Sequence, residues 1–167
     1  MLFILESIII CVLFSIGILV PLARNPVGQI MSYPVEIRRR VECLQQYKNC
    51  IKKKETRHIW IKILGAFTFV LVLAIIAYFS GATTFKEAFP YVFLLFFVVN
   101  MYDLFIMDIG IFMHCKKFWI PGTEDMVHEY HNPRHHIVGA GKGIIIGLLV
   151  AFLAAVLIQI IHIIQIG

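Results

Sequence analysis

Charge is scarce in this chain. Lysine, arginine, aspartate and glutamate together make up 15% of its 167 residues, and hydrophobic residues make up 60%. A soluble domain is about a quarter charged and nearer half apolar, so the bilayer is the expected solvent. No stretch is left over for a soluble globule with its own core, which leaves one membrane domain over residues 1–167. Paired cysteines are missing too: Cys11, Cys43, Cys50 and Cys115 form no CxxC pair and read as reduced thiols. A phosphate loop is also absent. Gly139-Ala140-Gly141-Lys142-Gly143 lacks the GxxxxGK[ST] spacing and any preceding strand. The net charge of +5 comes with neither a nucleic-acid-binding module nor an aromatic platform, so no nucleic acid is expected as a partner.

What the chain does have is four long apolar runs, at about 2–22, 59–80, 89–113 and 137–166. Roughly 20 helical residues cross the hydrocarbon, so the fourth is long enough to tilt or protrude. The first run opens with no lysine or arginine and carries Glu6, the pattern of a retained helix and not of a cleaved signal peptide. Arg24, Arg38, Arg39, Arg40, Lys48, Lys52, Lys53, Lys54 and Arg57 all fall between runs one and two, whereas residues 81–88 hold only Lys86 against Glu87. The positive-inside rule then puts loops 23–58 and 114–136 in the cytosol and both termini outside. The expected fold is an all-α integral membrane protein: a four-transmembrane-helix bundle in the cell membrane, of the bacterial inner-membrane kind.

Within loop 23–58, Ile37, Val41, Leu44 and Ile51 recur near helical spacing, and Pro34 suits a first helical turn. This predicts an amphipathic helix on the inner leaflet with its bases near anionic headgroups, which makes membrane lipids the expected partners. In the fourth run Gly139, Gly143, Gly147, Ala151 and Ala155 repeat every four residues and give one smooth face. Such a face lets another helix approach closely, either within the bundle or across a seam to a second copy or a partner membrane protein.

The third run carries Asp103 and Asp108, and a carboxylate in hydrocarbon costs at least a few kcal/mol. On an α-helix Asn100, Asp103, Met107, Gly110 and His114 share one face, while Asp108 is turned from Asp103 by about 140°. Two carboxylates so placed are expected to serve different neighbours. Asp108 is expected to pair with Lys142. Asp103 has no basic partner within the runs and is the leading candidate for a proton- or cation-handling group. Asn100, Asp103, Asp108 and Lys142 form the expected ion or substrate site.

A second constellation lies in loop 114–136. Trp119-Ile120-Pro121-Gly122-Thr123 reads as an interfacial tryptophan followed by a type II turn. Thr123 is placed to cap a short helix that Asn132-Pro133 ends, and on it Glu124, His128 and His131 share a face. His135 and His136 follow, with His114, Cys115 and His58 at the same surface. Glu124, His128, His131, His135 and His136 have the ligand types for zinc or iron. The spacing His131-x3-His135-His136 resembles one histidine box of membrane di-iron hydroxylases and desaturases. A surface histidine tract with no metal accounts for the same residues.

The set Asp103-x4-Asp108, Trp-Ile-Pro-Gly-Thr-Glu at 119–124, Tyr130, His136 and Lys142-Gly143 resembles small bacterial multi-pass inner-membrane proteins of uncharacterised function. The resemblance spans roughly 100–143, with looser echoes at Tyr33-Pro34 and Gln46-Tyr47-Lys48, and implies class and compartment only. Three functions follow as expectations. A proton or cation conduit using Asp103 comes first, a metalloenzyme acting on a lipid at the cytosolic surface second, and an accessory subunit of a membrane complex third.

Overall fold

Each long apolar run is helical, because none holds a glycine or proline cluster able to break it before a polar boundary. The computed structural model describes residues 1–47 and 55–166, with side chains described from Leu64 onward in the second part. Helix α1 covers Leu2–Arg24 and ends where Asn25 turns to an extended conformation. The Asn25 side chain then accepts a hydrogen bond from Gly28 N–H at 2.9 Å and starts a 3₁₀ segment over Pro26–Ser32. Helix α2 is Val35–Cys43, α3 is Glu55–Phe79 and α4 is Phe85–Tyr102. Thr84 and Glu87 close a capping box at the start of α4. A π-helical segment, Asp103–Phe112, continues α4 directly. A 3₁₀ turn at Lys116–Phe118 and the single turn α5, Val127–Tyr130, lead to the last helix, α6, Arg134–Ile166. No strand occurs among the described residues.

Three of these helices are long and apolar enough to cross a membrane, while the apolar part of α3 within the described side chains, Leu64–Phe79, is shorter. Two cores hold the helices together. The larger joins α1, α3, α4 and α6 through Ile10, Leu73, Ala77, Val92, Leu95, Ala151 and Ala155. Helices α4 and α6 make the most extensive pairing, and the small-residue face of α6 explains it. A Cβ at Gly147 would stand 2.6 Å from Phe96 Cδ1, one at Gly143 would meet the Asn100 side chain, and Ala151 is 0% exposed. The seam therefore packs within the chain, whereas a Cβ at Gly139 would meet nothing within 4 Å.

The second core caps one end of the bundle. It gathers Tyr33, Ile37, Val41, Phe112, Phe118, Ile120 and Tyr130 from the two connecting segments. This corrects the expectation for α2. Its apolar residues Ile37 and Val41 are both 0% exposed and turned into the protein, not free to lie on a membrane surface. The helix also stops at Cys43, because Leu44 is extended. Ile51 and the basic residues Lys48 and Lys52–Lys54 lie outside the described residues, as does Cys50.

At the opposite end the Glu6 carboxylate accepts hydrogen bonds from Ser80 and Tyr91, joining α1, the end of α3 and α4. Tyr78 donates to Gln165 at 2.9 Å, and Phe85 N–H to Gln159 at 2.9 Å. Residues near both termini thus meet at this end, away from the arginine-bearing segment. Glu6 is a structural acceptor between helices and does not simply reach for the surface.

Candidate functional site

The π-helical segment determines what the two aspartates can do. An α-helix would turn Asp108 away from Asp103, but a π-helix closes its hydrogen bond over five residues, as Met113 N–H to Asp108 C=O does at 3.0 Å. Five residues is then roughly one full turn. Asp103 and Asp108 fall near one face and both line a single cavity of about 290 Å³. The α-helical rotation that would turn them apart is not kept, although only Asp108 gains a side-chain partner among the described residues and their neighbours still differ. The cause is the hydrogen-bond register, which residue spacing does not reveal.

Asn100, His135, His136, Gly139 and Ser32 complete the polar part of the wall. Asn100 is positioned by donating from Nδ2 to Ala140 C=O on α6 at 3.0 Å. Gly139 lines this cavity, and a Cβ added there meets nothing within 4 Å. A second, smaller cavity of about 160 Å³ adjoins it toward Gln29 and Phe112, and Ile18, Ser32, Asp108 and His136 line both.

Asp108 is paired, though not with Lys142. Its Oδ2 is 2.9 Å from His136 Nδ1. A carboxylate only accepts, so His136 carries a proton on Nδ1, and in the neutral ring Nε2 is left as an acceptor. That Nε2 is buried and has no hydrogen-bond partner, and the His136 side chain is only 4% exposed. The ring is further held by edge contact with Phe112, centroids 5.4 Å apart, and with His135 at 5.6 Å. Lys142 is exposed on α6 and absent from the cavity wall. Asp103 has no ion-pair partner among the described residues.

The proposed metal ligands disperse. Among the described residues no three His, Cys, Asp or Glu side chains converge so as to hold a metal ion. Glu124 turns back to accept from Gly122 N–H at 2.9 and 3.0 Å, and these backbone donors hold its carboxyl below the ordinary glutamate value. His128 is 3.6 Å from Glu129 and almost fully exposed. His131 Nδ1 bonds the Val127 carbonyl at 2.8 Å, beside the rings of His114 and Trp119. His135 and His136 face the cavity instead. The reason is local: the helix expected from Thr123 onward begins only at Val127, so Glu124 never joins the histidine face. The His58 side chain lies outside the described residues.

Thr123 serves another purpose. Its hydroxyl donates to Ile120 C=O at 2.7 Å and shares a hydrogen bond with the Tyr130 hydroxyl at 2.8 Å. Tyr130 also accepts from Ile120 N–H at 2.9 Å and stacks on Trp119 at 4.7 Å. Tyr33 donates to the Phe118 carbonyl at 2.6 Å, and burial, followed by the neighbouring Tyr130, pushes its phenol up. Pro121 and Gly122 form the expected turn, with Gly122 at φ 92° and Thr123 N–H bonded to Ile120 C=O at 3.1 Å. Asn132 and Pro133 open α6, where Asn132 Oδ1 accepts from Arg134 N–H at 3.0 Å. This cap seats the base of α6 against the π segment and so places His136 opposite Asp108.

Of the cavity wall, the sequence points to Asn100, Asp103 and Asp108 as a site, to His135 and His136 only as metal ligands and to Gly139 only as a packing residue. It does not point to Ile18, Ser32, Leu104 and Ala140, which carry no signal of their own and arrive through contacts between distant segments. Comparison with protein-family models, with curated proteins and with solved structures finds no match to this chain.

Proposed function

We propose that the chain is a four-span membrane protein that handles protons or small cations at the Asp103–Asp108 cavity. Four helices, α1, α3, α4 with its π extension, and α6, are the spans. Helix α3 has 25 residues, about 37 Å at helical rise, against a hydrocarbon thickness of about 30 Å. Outward-facing Leu5, Val12, Leu13, Phe79, Ile145 and Leu149 support a lipid-facing exterior. The end bearing the aromatic cap and Arg38–Arg40 is the cytosolic one by the positive-inside rule, with both termini outside and anionic headgroups as neighbours.

One observation carries the functional reading: two carboxylates share one cavity inside the bundle, and among the described residues only Asp108 has a side-chain partner, His136. An acid left unpaired at such depth is stabilised by taking up a proton or holding a cation, and exchanging either is the function such a site performs. Proteoliposomes test this directly. Wild-type protein is expected to dissipate an imposed proton or sodium gradient, and Asp103→Asn to abolish that flux while the helical content and elution volume stay unchanged. Equal flux from both proteins refutes the reading.

A further inference from the structure

Proton or metal-ion handling needs little space, and this cavity is large. Its volume is about 290 Å³, whereas a water molecule takes about 30 Å³ of liquid. Small-molecule sites begin near this size, at roughly 300 Å³.

The chemistry of the wall is one-sided. In their ionised forms Asp103 and Asp108 offer only acceptor oxygens, and Asn100 spends an amide N–H on Ala140 C=O. In the same wall His136 donates its Nδ1–H to Asp108 in a hydrogen bond and has a buried Nε2 without a partner. Among the described residues the lining contains no lysine or arginine, and the remaining titratable group is His135. Among the described residues no three His, Cys, Asp or Glu side chains converge as a zinc or iron site would need. Apolar contact comes from Ile18, Leu104 and Ala140.

From the acceptor-rich wall, its volume and its apolar side we infer that the Asp103–Asp108 cavity is a binding site for a primary alkylammonium group. The ammonium supplies three donors to a wall that offers acceptors, and a short carbon chain fills the space beside Ile18 and Leu104. The same chemistry occurs in a free small amine and in an ethanolamine lipid headgroup. This inference rests on the cation-handling reading and names its substrate class.

The test is the thermal unfolding midpoint of detergent-solubilised protein titrated with ethylammonium chloride, with sodium chloride at equal ionic strength as reference. Ethylammonium is expected to give a saturable rise that sodium does not, since a ligand bound only by the folded state stabilises it. Asp103→Asn is expected to weaken the apparent affinity by about tenfold or more. Gly139→Leu is the second variant: Gly139 lines the cavity and a Cβ there meets nothing within 4 Å, so the variant is expected to fold and lose the response.

In phosphatidylethanolamine nanodiscs, a midpoint raised above that in phosphatidylcholine discs and dependent on Asp103 assigns the ammonium to a headgroup. No such rise, with the ethylammonium response intact, assigns it to a free amine. An ethylammonium effect no larger than that of sodium, or one retained in full by both variants, overturns the inference. Asp103-dependent proton flux in the same preparation would then leave the wider reading standing, and absence of flux would remove both.

Discussion

Asp108 Oδ2 accepts a hydrogen bond from His136 Nδ1 at 2.9 Å, which ties the π-helical end of the third apolar run to the first turn of α6. The pair stands where two cavities adjoin and where the aromatic cap meets the helical bundle. It fixes one aspartate and leaves its neighbour, Asp103, facing open space.

Removing the acceptor should expose what this pair contributes. Asp108→Ala leaves the Nδ1–H of a side chain only 4% exposed without a partner, a loss of about 1–3 kcal/mol. Asp108→Asn keeps an oxygen to accept and is expected to lose less. Denaturant unfolding in mild detergent measures both, and equal losses would show that the hydrogen bond contributes nothing.

The small-residue face of α6 should respond unevenly. At Gly147 an added methyl stands 2.6 Å from Phe96 Cδ1, so Gly147→Ala is expected to destabilise by about 1–3 kcal/mol through overpacking. Gly139→Ala meets nothing within 4 Å and should be neutral or stabilising by up to about 1 kcal/mol, from helix propensity. Similar effects at both positions in thermal unfolding would contradict the close approach of α4 and α6.

In the cap, Tyr130→Phe removes a hydroxyl that serves Ile120 N–H and Thr123 in a fully buried site. The expected cost is about 1–3 kcal/mol. Because this cap seats α6, the near-ultraviolet signal of Trp119, stacked on ring 130, should change as well. An unchanged spectrum and unchanged stability would separate the cap from the placement of α6.

Glu124 gives the turn a pH dependence with a definite sign. Backbone N–H donors, Gly122 first, hold its carboxyl below the ordinary value of 4.5. Its contribution is therefore complete above pH 4.5 and is lost as the pH falls through its lower folded value. Glu124→Gln should flatten the acid limb of the stability profile below that point and leave neutral pH unaffected. A change confined to neutral or alkaline pH would be the wrong sign.

Much of the helical framework was legible because apolar runs need no knowledge of their partners. The Pro121-Gly122 turn was legible for the same reason, as its geometry is local. The pairing of the aspartates was not. Spacing implies an α-helical rotation, and the register that brings Asp103 and Asp108 together is a property of backbone hydrogen bonds within a packed bundle. Lys142 looked the better partner for Asp108 on charge alone, but His136 lies on the cavity side of the same helix. The histidines read as a ligand cluster because sequence proximity stood in for spatial proximity. A late helix start at Val127 leaves Glu124 off the histidine face, His128 stands exposed, and His135 and His136 line the cavity.

The central claim is that a hydrated, electronegative cavity lies beside Asp103. With Cys11, Cys43, Cys50 and Cys115 replaced by serine, Gly139→Cys places one thiol in that wall. Its rates of reaction with the cationic aminoethyl and the anionic sulfonatoethyl methanethiosulfonates should be compared in proteoliposomes. The account predicts that the cationic reagent reacts faster by about tenfold or more, and that Asp103→Asn removes most of the difference. Equal rates with both reagents, or no reaction with either, would contradict it.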